Sequence, residues 1–123
     1  MQPGTVTLIV SIALTACEFN GPCTTSVEPG LIVRVVDSVT GVPAAHGASG
    51  FAVDDEYQGT LRNIAPDDPA GALLYGADER EGTYTVSVAK SGYEAWVREE
   101  VRVTGDECHV RTVNLEARLI PNP

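Results

Sequence analysis

Gly30-Leu31-Ile32-Val33-Arg34-Val35-Val36-Asp37-Ser38-Val39-Thr40-Gly41-Val42-Pro43-Ala44 reads as a β-strand running into a tight turn. Leu31, Val33 and Val35 share one parity, and residues of one parity in an extended chain project to one face. They predict a core stripe. Ser38-Val39-Thr40-Gly41 supplies the turn, with Asp37 able to accept backbone N–H bonds and Gly41 able to adopt positive φ. Pro43 has no N–H and stops the ladder.

The rest of the chain repeats this logic. Phe51 and Val53 alternate with Ala52, predicting a short strand from about Ala48. Residues 54–71, which include Ala65-Pro66-Asp67-Asp68-Pro69-Ala70-Gly71, predict mostly loop, with a short strand over 60–64. Ala72-Leu73-Leu74-Tyr75 restarts an extended segment. Asp78-Glu79-Arg80-Glu81-Gly82 predicts a hairpin connection with Gly82 in a left-handed position. Tyr84, Val86 and Val88 then face one way and Thr83, Thr85 and Ser87 the other, as a sheet with one wet face requires.

Lys90-Ser91-Gly92 turns the chain into Tyr93-Glu94-Ala95-Trp96-Val97, and Val101 and Val103 alternate with Arg102 and Thr104. A last strand directs Val113, Leu115, Ala117 and Leu119 inward. No segment carries helical periodicity. Short strands with turn signals at regular spacing predict an all-β, approximately antiparallel, seven-stranded β-sandwich. Tyr84 and Trp96 are expected in the core or between the sheets.

The 123 residues suffice for one domain, and 43% hydrophobic with 20% charged content fits a folded one. Seventeen acidic against eight basic residues give a net charge of −9. Such a surface repels nucleic-acid phosphates and anionic lipid heads. The carboxylates gather at Asp54-Asp55-Glu56, Asp67-Asp68 and Glu79-Arg80-Glu81, which reads as solvated surface. Asp54, Asp55, Glu56, Asp67 and Asp68 are the metal candidates, as a calcium site if their loops meet, although neither run has calcium-loop spacing. No nucleophile elbow, phosphate loop or paired metal motif is present, so no cofactor is expected.

The N-terminus reads as an address. Val6-Thr7-Leu8-Ile9-Val10-Ser11-Ile12-Ala13-Leu14 is an uncharged run of nine residues, too short to span a bilayer and suited to the apolar region of a signal peptide. Leu14-Thr15-Ala16-Cys17 resembles a bacterial lipobox, in which small residues admit the peptidase and the cysteine thiol carries a diacylglyceryl anchor. Residues 1–4 lack the Lys or Arg of an n-region, a departure from the pattern. A buried β-strand is the alternative reading of the run. The lipobox divides the chain into a signal peptide (1–16), a lipid-anchored tether (17–29) and a domain (30–120). It implies export, with Cys17 attached to a membrane, at the outer membrane or cell surface.

With Cys17 lipidated, Cys23 and Cys108 remain as an even pair in an oxidising setting, and a disulfide between them is expected. Metal binding is the alternative, because His109 adjoins Cys108, but zinc sites usually show a second close-spaced ligand pair and none exists here.

The 33–44 stretch, together with Gly82-Thr83-Tyr84-Thr85-Val86-Ser87-Val88 and Gly92-Tyr93, resembles the carboxypeptidase regulatory-like domain, a transthyretin-like (prealbumin-like) sandwich. The resemblance covers roughly residues 30–120. It implies a non-catalytic module that supports, spaces or binds; an envelope protein and a carbohydrate are both open as its partner, and the sequence names neither. A small-ligand or calcium carrier of transthyretin-like type is the alternative function.

Two chemically active relatives test the non-enzymatic expectation. Hydroxyisourate hydrolases share the Asp37 to Ala44 pattern, but need a histidine where this chain has Arg34, and end in Tyr-Arg-Gly-Ser where it has Ile120-Pro121-Asn122-Pro123. A guanidinium stays protonated and cannot replace imidazole as a base. Collagen-adhesin B-type modules form a Lys–Asn isopeptide bond with a first-strand lysine. Arg34 again stands nearest that place, leaving Asn114 without its lysine.

Overall fold

The computed structural model describes residues 23–64 and 68–123. Those residues form seven strands, β1 (Leu31–Asp37), β2 (Ser49–Asp54), β3 (Tyr57–Leu61), β4 (Leu73–Gly76), β5 (Gly82–Ala89), β6 (Trp96–Val103) and β7 (Val113–Leu119), and no helix. They make two sheets, ordered β4-β1-β7 and β3-β2-β5-β6. The expected signal peptide, Cys17 and Asp67 lie outside the described residues.

The core sits between the sheets because each strand contributes one parity to it. Leu31, Val33 and Val35 from β1 are fully buried, as are Tyr84, Val86 and Val88 from β5 and Ala117 and Leu119 from β7. Tyr84 packs edge-on to Tyr57, and its hydroxyl donates to the Arg80 carbonyl at 2.8 Å, so the buried phenol is satisfied. Trp96 is only half-buried. It lies on an edge strand, packs against the rim of the core and carries the Arg98 guanidinium 5.3 Å above its ring.

Three expectations need correction. The sandwich is not antiparallel throughout: β1 pairs with β7 in parallel, Leu31 opposite Val113 through Asp37 opposite Leu119, while the other ladders are antiparallel. Residues 78–82 do not form a hairpin, because β4 pairs with β1 and β5 with β2, so the segment crosses between sheets. Its left-handed positions are Ala77 (φ 53°) and Glu79 (φ 49°) rather than Gly82. Gly82 lies in β5, where a Cβ would run into the Asp54 carboxylate. The third strand covers Tyr57–Leu61, earlier than 60–64, because the Asp54-Asp55-Glu56 run is a tight turn with Asp55 at φ 46°.

The turn after β1 follows its reading. Asp37 Oδ1 accepts the N–H groups of Val39 at 2.7 Å and Thr40 at 2.8 Å, and Gly41 has φ 75°. Tyr93 adds a hydrogen bond from its hydroxyl to Asp37 Oδ2 at 2.8 Å. All of these donors favour the ionised carboxylate and hold its pKa below the ordinary aspartate value, the Thr40 N–H most.

Candidate functional site

The most connected polar cluster lies where the segment before β1 meets the β6–β7 loop. Cys23 and Cys108 form a disulfide with their Cα atoms 5.2 Å apart, across 85 residues of sequence. The bond sets their following neighbours side by side. Thr24 Oγ1 lies 2.8 Å from His109 Nε2. On the other side of the ring, His109 Nδ1 meets Glu79 Oε2 in a short contact. Glu79 also accepts the backbone N–H groups of Glu28 and Val110, each at 3.1 Å. One left-handed residue thus holds the pre-β1 segment, the crossing between sheets and the last loop together. These groups line a shallow open groove of about 390 Å³ with Ser26, Glu81 and Asp106.

The electrostatics follow from those contacts. The hydrogen bond to Glu79 raises the His109 pKa above its ordinary value, helped by the charge of Glu79 and, further off, of Glu28 and Asp106. The same bond is the main cause of a lowered Glu79 pKa. With Nδ1–H given to Glu79, the neutral ring accepts the Thr24 hydroxyl at Nε2, and the protonated ring donates to it.

Hydroxyl, imidazole and carboxylate stand in the order of a nucleophilic triad. Cys108 N–H and His109 N–H are given to Asp106 Oδ1 and Val110 N–H to Glu79, so these three donors beside the imidazole are used within the cluster itself. Thr24 Oγ1 is also 2.9 Å from Ser26 Oγ, which reaches on to Glu28. The cluster is built as a clasp.

Among the described residues, the metal candidates do not converge. Asp54 Oδ2 pairs with Arg80 Nη1 at 3.2 Å, beside Asp55 and Glu56 at the β2–β3 turn. Asp68 is buried in another loop, where it accepts Leu73 N–H at 2.5 Å and Asn63 Nδ2 at 2.9 Å. No group of three or more His, Cys, Asp or Glu side chains able to hold a metal occurs among the described residues. Arg34 projects from the outer face of β1 with Nε 3.9 Å from Glu116 Oε2, and Asn114 opposes Ile32 on β7. No helix among the described residues is long and apolar enough to cross a membrane.

Sequence reasoning found both cysteines but missed Thr24, Glu79 and His109 as one unit. The signal lay in the dipeptides Cys23-Thr24 and Cys108-His109: a disulfide that joins two chains also brings their next residues into reach. Glu79 gave no such sign and read as one of a solvated run. No protein-family model matches the chain, and no curated protein matches it.

Proposed function

We propose that the chain is an exported, lipid-anchored and non-catalytic module of the cell envelope, a transthyretin-like sandwich of the carboxypeptidase regulatory-like kind. The observation that carries this reading is the Cys23–Cys108 disulfide. Such bonds persist in oxidising compartments and are rare in the cytosol. An exported chain is what the Leu14-Thr15-Ala16-Cys17 motif implies, and that motif lies six residues before Cys23. The clasp around Glu79 supports the same reading. It fixes the pre-β1 segment to the body through Thr24 and Glu28, so a lipid on Cys17 would hold the domain close to the bilayer. Acyl chains of this kind anchor a protein without a transmembrane helix.

Intact mass spectrometry of the membrane fraction from cells making the full chain tests the reading. The expected species begins at Cys17, carries the lipid mass and gains two hydrogens on reduction. An unprocessed, soluble chain overturns it.

A further inference from the structure

The outer face of the β3-β2-β5-β6 sheet has a composition unlike the rest of this acidic chain. The strand registers place Thr60, Phe51, Ser87 and Val97 in one row across four strands, and Gln58, Val53 and Thr85 in the next. None of these seven side chains is charged, on a chain of net charge −9. Phe51, Val53 and Val97 are 36%, 37% and 55% exposed. Among the described residues, the polar side chains of Gln58, Thr60, Thr85 and Ser87 make no hydrogen bond with the protein. Strands lie about 4.8 Å apart, so the longer row spans about 14 Å. Charge returns at the β6 edge, with Arg102 opposite Thr83 and an extra residue bulged opposite Thr85, where Glu100 has φ 57°.

We infer that this face binds an uncharged polysaccharide, with Phe51 stacking on a sugar ring and Gln58, Thr60, Thr85 and Ser87 hydrogen-bonding its hydroxyls. The inference rests on the reading of the chain as a binding module and names its partner class. The chemistry selects this occupant on two counts. An anionic polymer finds no counter-charge in the two rows and is repelled by the chain as a whole, while a cationic one meets carboxylates at the β6 rim, at Glu99 and Glu100, rather than within the rows. A second copy of the chain would strip water from the four free polar side chains and offer mainly methyl groups and the same few hydroxyls in return, a net cost. A sugar offers both what those groups lack and an apolar ring face for Phe51.

Native gel electrophoresis of the full chain in detergent, through gels containing hydroxyethyl cellulose, glucomannan or dextran, tests the inference. Retardation is expected in at least one of these gels and not in polygalacturonate. F51A is expected to weaken it about tenfold. T85R, a surface change that leaves the core alone, is expected to weaken it as well. Near-UV circular dichroism checks that both variants are folded. No retardation in any neutral gel overturns the inference, as does retardation that survives both substitutions. Light scattering that shows a wild-type dimer and an F51A monomer overturns it too, by assigning the face to a second copy. The membrane-fraction mass is independent of these gels, so failure here and failure of the envelope reading are separately visible.

Discussion

Glu79 and His109 stand thirty residues apart in the chain and meet through a short hydrogen bond between Oε2 and Nδ1. The bond raises the histidine pKa and lowers the glutamate pKa. A raised histidine stabilises the fold below its unfolded pKa, and that contribution is lost as pH climbs through the folded value. A lowered glutamate stabilises above its unfolded pKa, and that is lost as pH falls through the folded value. The clasp is therefore strongest between the ordinary glutamate and histidine values. Melting temperature is expected to decline from mildly acidic pH into the alkaline range, and H109Q to flatten that limb. The acid limb is shared with Asp37 and Asp106, both lowered, and the strongly alkaline range with Tyr84 and Tyr93, both raised, so the limb just above the ordinary histidine value is the diagnostic one. A wild-type melting temperature that holds constant through it counts against the clasp.

The disulfide closes 85 residues of sequence. In the chain-entropy account such a link stabilises by up to about 4–5 kcal/mol. The C23S/C108S double variant is expected to lose that order of stability in urea titration. It is also expected to release Thr24 from His109, detectable as faster amide exchange over residues 24–28. Equal stability with and without the bond would show that the clasp suffices alone.

Two positions probe the packing that sets the sheets. Leu74 is 1% exposed between them, and L74A is expected to cost about 2–5 kcal/mol. Gly30 immediately precedes β1, and a Cβ there would lie 2.6 Å from the Ala77 carbonyl oxygen. G30A is expected to cost about 1–3 kcal/mol, since backbone rather than a mobile side chain has to move. A G30A chain as stable as wild type would show that the Gly30–Ala77 approach is loose.

Calcium is expected to leave the melting temperature unchanged, because Asp54 is held by Arg80 and Asp68 by Leu73 and Asn63 in separate loops. A rise of several degrees in millimolar calcium would mean that these carboxylates can leave their present partners.

Strand interiors were legible in the sequence because parity is local. Leu31, Val33 and Val35 and the Tyr84, Val86 and Val88 set face the core as alternation requires. Partnership was not legible. Turn residues at 78–82 signal that the chain reverses, yet nothing in them says whether the next strand joins the same sheet. The parallel β1–β7 pairing joins strands at opposite ends of the domain and leaves no local trace. The same limit hid the clasp: Thr24, Glu79 and His109 are ordinary surface residue types until the fold brings three segments together.

The covalent link at Cys23 also decides how the domain bears load. A pull on the residues before Cys23 does not unzip β1 from its neighbours one hydrogen bond at a time. It enters the body through sulfur at Cys108 and divides between the two segments that the bond joins. Beyond that point β1 and β7 run parallel and side by side, both with their N-terminal ends toward the bond, so tension on both draws them the same way and does not peel one from the other. The sandwich is built to be tugged from its N-terminal end without losing its first strand.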